Sequence, residues 1–117
     1  MKVTKPWGHY EVIFQNEQTT IKILFVKKGH RTSLQFHELR SEKWLILDGT
    51  GMAQLHDDKI QVEKGGILSI NKFAKHRIQA HQDMLILEAS FGNFDEFDIY
   101  RLEDDYDRCS NGIKTKN

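Results

Sequence analysis

The feature that most constrains this chain of 117 residues is a spaced polar motif between Gly29 and Gly49. It reads G-x5-Q-x-H-x4-E-x6-G and is followed downstream by a further histidine, His76. Residues two apart on a β-strand point to the same face, so we expect Gln35 and His37 to project together. The glycines at either end mark expected reversals of the backbone. The motif therefore predicts short strands that gather polar side chains.

The position of Glu42 requires a change of direction in the chain. On one unbroken strand Glu42, five residues after His37, would point to the opposite face. We therefore expect a tight turn through Leu39, Arg40 and Ser41. This turn would return Glu42 on an adjacent antiparallel strand.

Four polar residues then offer two imidazole nitrogens, a carboxylate and a carboxamide oxygen to one divalent metal ion. The four expected ligands are Gln35, His37, Glu42 and His76. Zinc is the first expectation for a mixed nitrogen and oxygen set, and manganese, iron, cobalt and nickel stay open. The plainer interpretation of the same residues is a hydrogen-bonded polar network inside a metal-free barrel.

Charge and composition exclude several kinds of partner. The 17 basic and 17 acidic residues give a net charge of +0, which argues against broad binding to nucleic acid or anionic lipid. Apolar runs such as residues 44–47 are far too short to span a membrane. We find no secretory signal, and the lone Cys109 cannot form an internal disulfide. A cytoplasmic protein is expected.

Short β-compatible segments separated by turn signals recur along the chain. They are Thr19–Lys27, Lys43–Leu47, Met52–His56, Ile60–Val62, Ile67–Ile70, His76–Ala80 and Met84–Ser90. Many short strands at regular spacing indicate an all-β sandwich or closed barrel. We expect residues 1–109 to form a single domain and residues 110–117 a flexible tail. The acidic segment 95–108 is expected to hold a short helix or an ordered edge.

Four segments of the sequence resemble a known family. The strings KPWGHYEV (5–12), GHRTSLQFHELRSEKWLILDGTG (29–51), KHRIQ (75–79) and FDIYRLEDDYDR (97–108) are similar to the cupin domain of type II phosphomannose isomerases. The resemblance implies a small double-stranded β-helix, also called a jelly-roll barrel. In bifunctional members this domain follows a mannose-1-phosphate guanylyltransferase domain. No counterpart of that second domain is visible here, so we expect a free-standing cupin.

The resemblance implies a metal-dependent isomerase that interconverts mannose 6-phosphate and fructose 6-phosphate, with a sugar phosphate as its small-molecule partner. Arg31 and Arg40 match arginines of the family, and either is expected to stabilise the enediolate or to hold phosphate. The general base stays open among four candidates. They are Lys22, His81, Glu88 and Asp98.

One departure from the family bears on the substrate. The family's turn before its last histidine contains proline and glycine, whereas this chain has Asn71, Lys72, Phe73 and Ala74. We expect a changed turn at the border of the pocket. Two alternatives to the isomerase therefore stay open. The first is another cupin enzyme, which would act on a different sugar or nucleotide sugar or would be an oxygenase. The second is a cupin that binds sugar without catalysis.

Cupins commonly form dimers by exchanging or adding strands, and the resemblance implies the same arrangement here. We expect a homodimer with twofold symmetry. The segment 5–14 is the expected crossing strand, because it is apolar and β-compatible.

Overall fold

Side chains alternate between buried and solvent-facing along most strands of the computed structural model, which describes residues 2–93, 95 and 97–109. In β3, for example, the even-numbered residues are buried and their neighbours are half-buried. This period of two is the pattern of a sheet with one face packed against a core. The strands are β1 Lys2–Lys5, β2 Gly8–Gln15, β3 Thr19–Val26, β4 Leu34–Phe36, β5 Arg40–Asp48, β6 Gly51–Leu55, β7 Asp58–Val62, β8 Ile67–Ile70, β9 His76–Ala80, β10 Met84–Gly92 and β11 Tyr100–Glu103.

The strands form two sheets in which every neighbouring pair is antiparallel. The six-stranded sheet has the order β1-β2-β3-β10-β5-β8, and the five-stranded sheet has the order β11-β4-β9-β6-β7. Each sheet draws strands from both halves of the sequence, as a double-stranded β-helix requires. The expected all-β fold of this type is confirmed, and none of the described residues forms a helix that could cross a membrane.

The space between the sheets changes character along the strands. Leu24, Ile86 and Ile46 form one buried row across β3, β10 and β5. Two residues further along β3 and β10, the buried neighbours are Lys22 and Glu88. One end of the interior is therefore an apolar core and the other end is lined by charged groups. The largest fully buried apolar side chains are Val26, Ile46, Ile70, Ile78, Met84 and Ile86.

The turn expected between His37 and Glu42 does not join adjacent strands. β4 belongs to the five-stranded sheet and β5 to the six-stranded sheet, so residues 37–39 carry the chain from one sheet to the other. The expectation of an antiparallel pair was wrong because two sheets facing each other can bring the same side chains together without a shared ladder.

The segment expected to cross to a partner is paired within its own chain. Strand β2 lies between β1 and β3 and is hydrogen-bonded to both. Its backbone groups are therefore already used, and the edge strands of this sheet are β1 and β8. The acidic segment near the end forms an ordered edge, β11, rather than a helix. The expected flexible tail, residues 110–117, lies outside the described residues.

The two glycines that bracket the motif have the backbone conformation expected of them. Gly29 has a φ of 82° and Gly49 a φ of 86°, a region that residues with a Cβ atom rarely adopt. At Gly49 an added Cβ would also collide with the carbonyl oxygen of Asp83. The turn between β5 and β6 thus requires glycine at this position.

Candidate metal centre and cavity

Three of the four expected ligands meet at the charged end of the interior. The Nε2 atoms of His37 and His76 lie 3.5 Å and 3.6 Å from the two carboxylate oxygens of Glu42. One ligand atom from each residue lies within 4.8 Å of the others, and all three residues are buried. His37 follows β4, His76 begins β9 and Glu42 lies on β5, so both sheets contribute.

Backbone carbonyls orient the two imidazoles. Nδ1 of His37 lies 2.6 Å from the carbonyl oxygen of Asp98, and Nδ1 of His76 lies 2.9 Å from that of Ala74. A carbonyl oxygen only accepts, so each Nδ1 carries the proton and donates it. The Nε2 lone pairs are then directed toward Glu42. Metal-binding histidines are held in the same way in many proteins.

The carboxylate of Glu42 tests whether a metal ion fits these residues. Its Oε2 accepts a hydrogen bond of 3.0 Å from Nε of Arg40, whereas its buried Oε1 accepts none from the described residues. A buried carboxylate oxygen without a partner is costly. A cation bound by Oε1 and the two Nε2 atoms would remove that cost, so His37, Glu42 and His76 fit a metal ion.

The titration behaviour of the cluster also suits a ligand set. Burial, reinforced by the positive charge of Arg40, places the pKa of His37 well below its ordinary value and keeps the imidazole neutral. Burial acts to raise the pKa of Glu42, but His76 and Arg40 outweigh it and the pKa is lowered. A neutral imidazole and an ionised carboxylate are the forms that bind metals.

The fourth expected ligand, Gln35, faces the same cavity. It is the register partner of His76 where β4 meets β9. Its amide nitrogen donates to the hydroxyl of Ser33 at 2.9 Å and to the Ser33 carbonyl at 3.2 Å. The amide oxygen is not used by these bonds, so it is the atom that Gln35 can offer to an ion.

The two arginines expected at the site lie in different places. Arg40 is buried beside the cluster, with Nη2 3.3 Å from Nε2 of His37. Arg31 lies outside the cavity and forms two hydrogen bonds of 2.7 Å with the carboxylate of Asp105. The structure therefore brings Arg40 to the candidate metal centre and does not bring Arg31 there.

Lys22 and Glu88 form a second buried charged pair in the cavity. Nζ of Lys22 lies 3.7 Å from Oε1 of Glu88, and Nε1 of Trp44 donates to Oε2 of Glu88 at 3.3 Å. Burial, followed by repulsion from Glu42, raises the pKa of Glu88. Burial also lowers the pKa of Lys22, although Glu88 acts in the opposite direction. Both shifts bring the pKa values closer to neutral pH, and proton transfer by a side chain is most efficient when its pKa lies near the working pH.

The other two candidates for the general base, Asp98 and His81, do not line the cavity. The carboxylate of Asp98 accepts hydrogen bonds from the backbone nitrogens of Glu38 and Leu39 at 2.8 Å and 2.9 Å. It thereby fixes the segment that carries His37 between the sheets. His81 is exposed in the turn before β10 and does not line the cavity. Lys22 and Glu88 are thus the two of the four that face the cavity.

An open cavity of about 710 Å³ contains the candidate metal centre. Three cations line it together with the residues described above, and sequence reasoning did not single them out: Lys5, Arg101 and Arg108. All three lie in the segments that carried the family resemblance, which was the available signal. The side chain of Arg108 is held by Asp104 at 2.8 Å. A cavity with this lining can attract an anionic ligand.

The altered turn positions the histidines instead of lining the cavity. Phe73 has a φ of 67°, a conformation ordinarily suited to glycine, and its backbone nitrogen donates to the carbonyl of His37 at 2.8 Å. Its ring is 59% exposed and lies 6.3 Å from that of Phe36. None of residues 71–74 lines the cavity. The expected border with the pocket is thus a backbone support for His37.

Comparison with known proteins relates the chain to sugar-phosphate enzymes. A family model described as mannose-6-phosphate isomerase C-terminal matches residues 1–104. Mannose-1-phosphate guanylyltransferase of Klebsiella pneumoniae is 30% identical over 111 residues, which cover 92% of this chain and 24% of that protein. Alginate biosynthesis protein AlgA of Pseudomonas aeruginosa is 32% identical over 112 residues, which cover 93% and 23%. The chain thus spans about a quarter of the length of these relatives.

Solved structures share the fold at low sequence identity. The nucleoside dehydratase Pac13 of Streptomyces superposes with a TM-score of 0.78 at 15% identity, covering 89% of this chain and 85% of that one. This likeness agrees with the double-stranded β-helix described above.

Proposed function

The chain belongs to the family of mannose-6-phosphate isomerase C-terminal domains, and we propose that it is a metal-dependent aldose–ketose isomerase. The proposed reaction interconverts mannose 6-phosphate and fructose 6-phosphate. The observation that carries the proposal is the joint presence in one cavity of a candidate metal centre, a buried acid–base pair and cations near its lining. These are the three requirements of the reaction.

The proposed metal ligands are Gln35, His37, Glu42 and His76, with zinc as the first choice and manganese, iron, cobalt or nickel as alternatives. A divalent cation supplies positive charge near sugar oxygens that become anionic during the reaction. Arg40 adds a fixed positive charge beside the same cluster.

Proton transfer is assigned to the buried pair. In the open-chain aldose, the carboxylate of Glu88 removes the proton from carbon 2, and the electron pair of that bond forms a double bond to carbon 1. The carbonyl oxygen on carbon 1 takes up the negative charge and a proton. The hydroxyl proton on oxygen 2 then leaves, a carbonyl forms at carbon 2, and Glu88 returns its proton to carbon 1. Lys22, 3.7 Å from Glu88, is placed to shuttle the protons of the oxygens.

The phosphate group is assigned to the cations that sequence reasoning missed. A sugar phosphate carries close to two negative charges, so its binding by a chain of net charge +0 depends on a local concentration of cations. Lys5 and Arg101 line the cavity and are not ligand candidates for the metal. Arg31, which pairs with Asp105 outside the cavity, has no part in this assignment.

A coupled isomerase assay with mannose 6-phosphate tests the proposal. We expect turnover by the zinc-loaded protein, loss of turnover after chelation, and recovery when the metal is returned. Glu88→Gln is expected to abolish turnover while the metal content is retained, and Glu63→Gln, at an exposed position, is the matched control. A metal-loaded protein that binds mannose 6-phosphate without turnover would instead identify a sugar-binding module. Turnover of a nucleotide sugar alone would identify a different cupin enzyme.

A further inference from the structure

A second, shallower groove lies on the outer face of the five-stranded sheet. In β9, His76 faces the cavity and Ile78 the apolar core, so Arg77 and Gln79 lie on the opposite face of the strand. The groove is open to solvent and has a volume of about 530 Å³. Six residues line it: Arg31, Met52, Gln54, Lys59, Arg77 and Gln79.

The register of the strands brings cations and carboxamides together in this groove. In one row Gln54 lies between Arg77 and Lys59 as register partners. In the next row Gln79 forms a β-bridge with Arg31. Residues two apart on a strand share a face, so the two rows are neighbours. Three of the six lining residues are cations and two are carboxamides, a composition suited to an anion.

The guanidinium of Arg77 has a hydrogen-bond donor that nothing uses. Arg77 is only 5% exposed. Its Nε donates to the carbonyl oxygen of Thr32 at 3.2 Å, and its Nη1 donates to Oε1 of Glu103 at 3.2 Å. Its Nη2 is buried and has no hydrogen-bond partner among the described residues. A buried donor without an acceptor is costly, and an anion beside it would remove that cost.

The positive charges of the groove are not fully balanced by acids of the same chain. Arg31 pairs with Asp105 and Arg77 pairs with Glu103, whereas Lys59 is exposed and has no ion-pair partner among the described residues. Burial lowers the pKa of Arg77, and the charge of Arg31 lowers it further, because the two guanidinium groups repel each other. Three cations against two carboxylates leave an excess of positive charge.

We propose that this groove binds the phosphate group of a small molecule at a site separate from the cavity. A phosphate dianion has several acceptor oxygens, which match the planar donors of Arg77, the ammonium group of Lys59 and the carboxamide of Gln79. The carboxylate that phosphate displaces is Glu103, whose side chain is 65% exposed. The groove and the cavity share no lining residue, so this binding and the proposed isomerase activity can fail independently.

Titration of the ¹⁵N-labelled protein with inorganic phosphate, followed by NMR, tests the proposal. The side-chain amide signal of Gln54 reports the groove, and the indole signal of Trp44 reports the cavity. We expect phosphate to shift the Gln54 signal, and sodium chloride of equal ionic strength to leave it in place. Gln79→Glu should raise the Kd measured at Gln54 by at least about tenfold, because it sets a carboxylate against the phosphate. Lys43→Gln, at an exposed position on the other sheet, is the matched control. An equal shift with chloride, or an unchanged Kd in Gln79→Glu, would overturn the proposal.

Removal of the competing carboxylate separates phosphate binding from a purely structural role of Arg77. Glu103→Gln keeps the shape of the side chain and frees the guanidinium, so the Kd for phosphate at the groove should fall by at least about threefold in low salt. If Arg77 served only to hold β11, the same variant would lose thermal stability without binding phosphate more tightly, and that result would contradict the proposal. Acetate should bind at least about tenfold more weakly than phosphate, because it carries one charge and two acceptor oxygens. Equal affinity for acetate would overturn the assignment of phosphate.

Discussion

Nε2 of His37 lies 3.5 Å from Oε2 of Glu42, although the two residues flank a crossing from one sheet to the other. The short segment between them therefore fixes both the fold and the candidate metal centre. Asp98 holds this segment by accepting hydrogen bonds from its backbone. The site is thus formed where the two sheets approach each other, and a substitution there affects ligand geometry before it affects the apolar core.

Metal binding should respond in a graded way to loss of the ligands. His76→Ala is expected to abolish stoichiometric zinc binding, because the described neighbours offer no second Nε2 in its place. Glu42→Gln keeps the shape but removes the anionic ligand, so the affinity should fall by more than about tenfold. Gln35→Ala should weaken binding least, since water can take the vacated position. Elemental analysis after dialysis measures the zinc content of each variant, with His81→Ala as the control. Equal zinc in the wild type and the His76→Ala variant would exclude this metal centre.

Substitution of Arg40 and substitution of Arg31 should have different effects on kcat/KM. Arg40→Gln is expected to lower kcat/KM by at least about tenfold, or about 1.4 kcal/mol, because it removes a cation beside the cluster. Its zinc affinity should stay the same or rise, since the cation that competes for His37 and Glu42 is gone. Arg31→Gln, at the ion pair with Asp105, should leave kcat/KM within about twofold. An equal loss of kcat/KM in both variants would contradict this prediction and show that Arg31 takes part in catalysis or substrate binding.

Phosphate recognition should depend on Arg101. Arg101→Gln is expected to raise the KM for mannose 6-phosphate by about tenfold with a smaller change in kcat, because binding to a non-reacting group is lost. Inorganic phosphate should inhibit the wild type competitively and inhibit this variant less. The exposed Lys64→Gln substitution serves as the control. Unchanged inhibition by phosphate in the Arg101→Gln variant would place the phosphate group elsewhere.

Glycine in place of Phe73 should relieve the backbone strain of the turn before His76. Phe73 has a φ of 67° and a mostly exposed ring, so Phe73→Gly should raise the free energy of unfolding by about 0.5–1 kcal/mol. Lys72→Gly, at a neighbouring position without positive φ, should lower it by a similar amount. Urea denaturation of the metal-free proteins measures both values. Destabilisation by Phe73→Gly would mean that the contact between Phe73 and Phe36 outweighs the backbone strain.

At acid pH, Asp104 should lose its contribution to the free energy of unfolding. Burial acts to raise the pKa of this carboxyl, but hydrogen bonds from Arg108 outweigh it, so its pKa lies below the ordinary value of 3.8. A carboxyl with a depressed pKa stabilises the fold above its unfolded pKa and loses that effect as the pH falls through its folded pKa. The stability advantage of the wild type over Asp104→Asn should thus persist at neutral pH. Below pH 3.8 it should shrink by up to about 1.4 kcal/mol per unit. Urea titrations at each pH measure this difference, and a constant advantage would contradict the prediction.

Much of the fold could be predicted because strand formation is a local property. The segments expected at Ile67–Ile70 and His76–Ala80 coincide with β8 and β9, since a period of two in hydrophobicity appears within a few residues. The expected span Met84–Ser90 falls within β10. Spacing also identified His37, Glu42 and His76 as a set, because these residue types have few other reasons to be buried together.

The sequence by itself therefore determined most of the strands, the all-β class of fold and the candidate ligands, because these depend on residue type and on spacing along the chain. Only the tertiary structure decided that Arg40 faces the cavity while Arg31 pairs with Asp105 outside it. It also brought Lys5 and Arg101, nearly a chain length apart, to the same cavity. The physical reason is that sheet assignment and the closure of distant edges are set by burial across the whole interior. No local period in the sequence encodes which face of which sheet a given cation will meet.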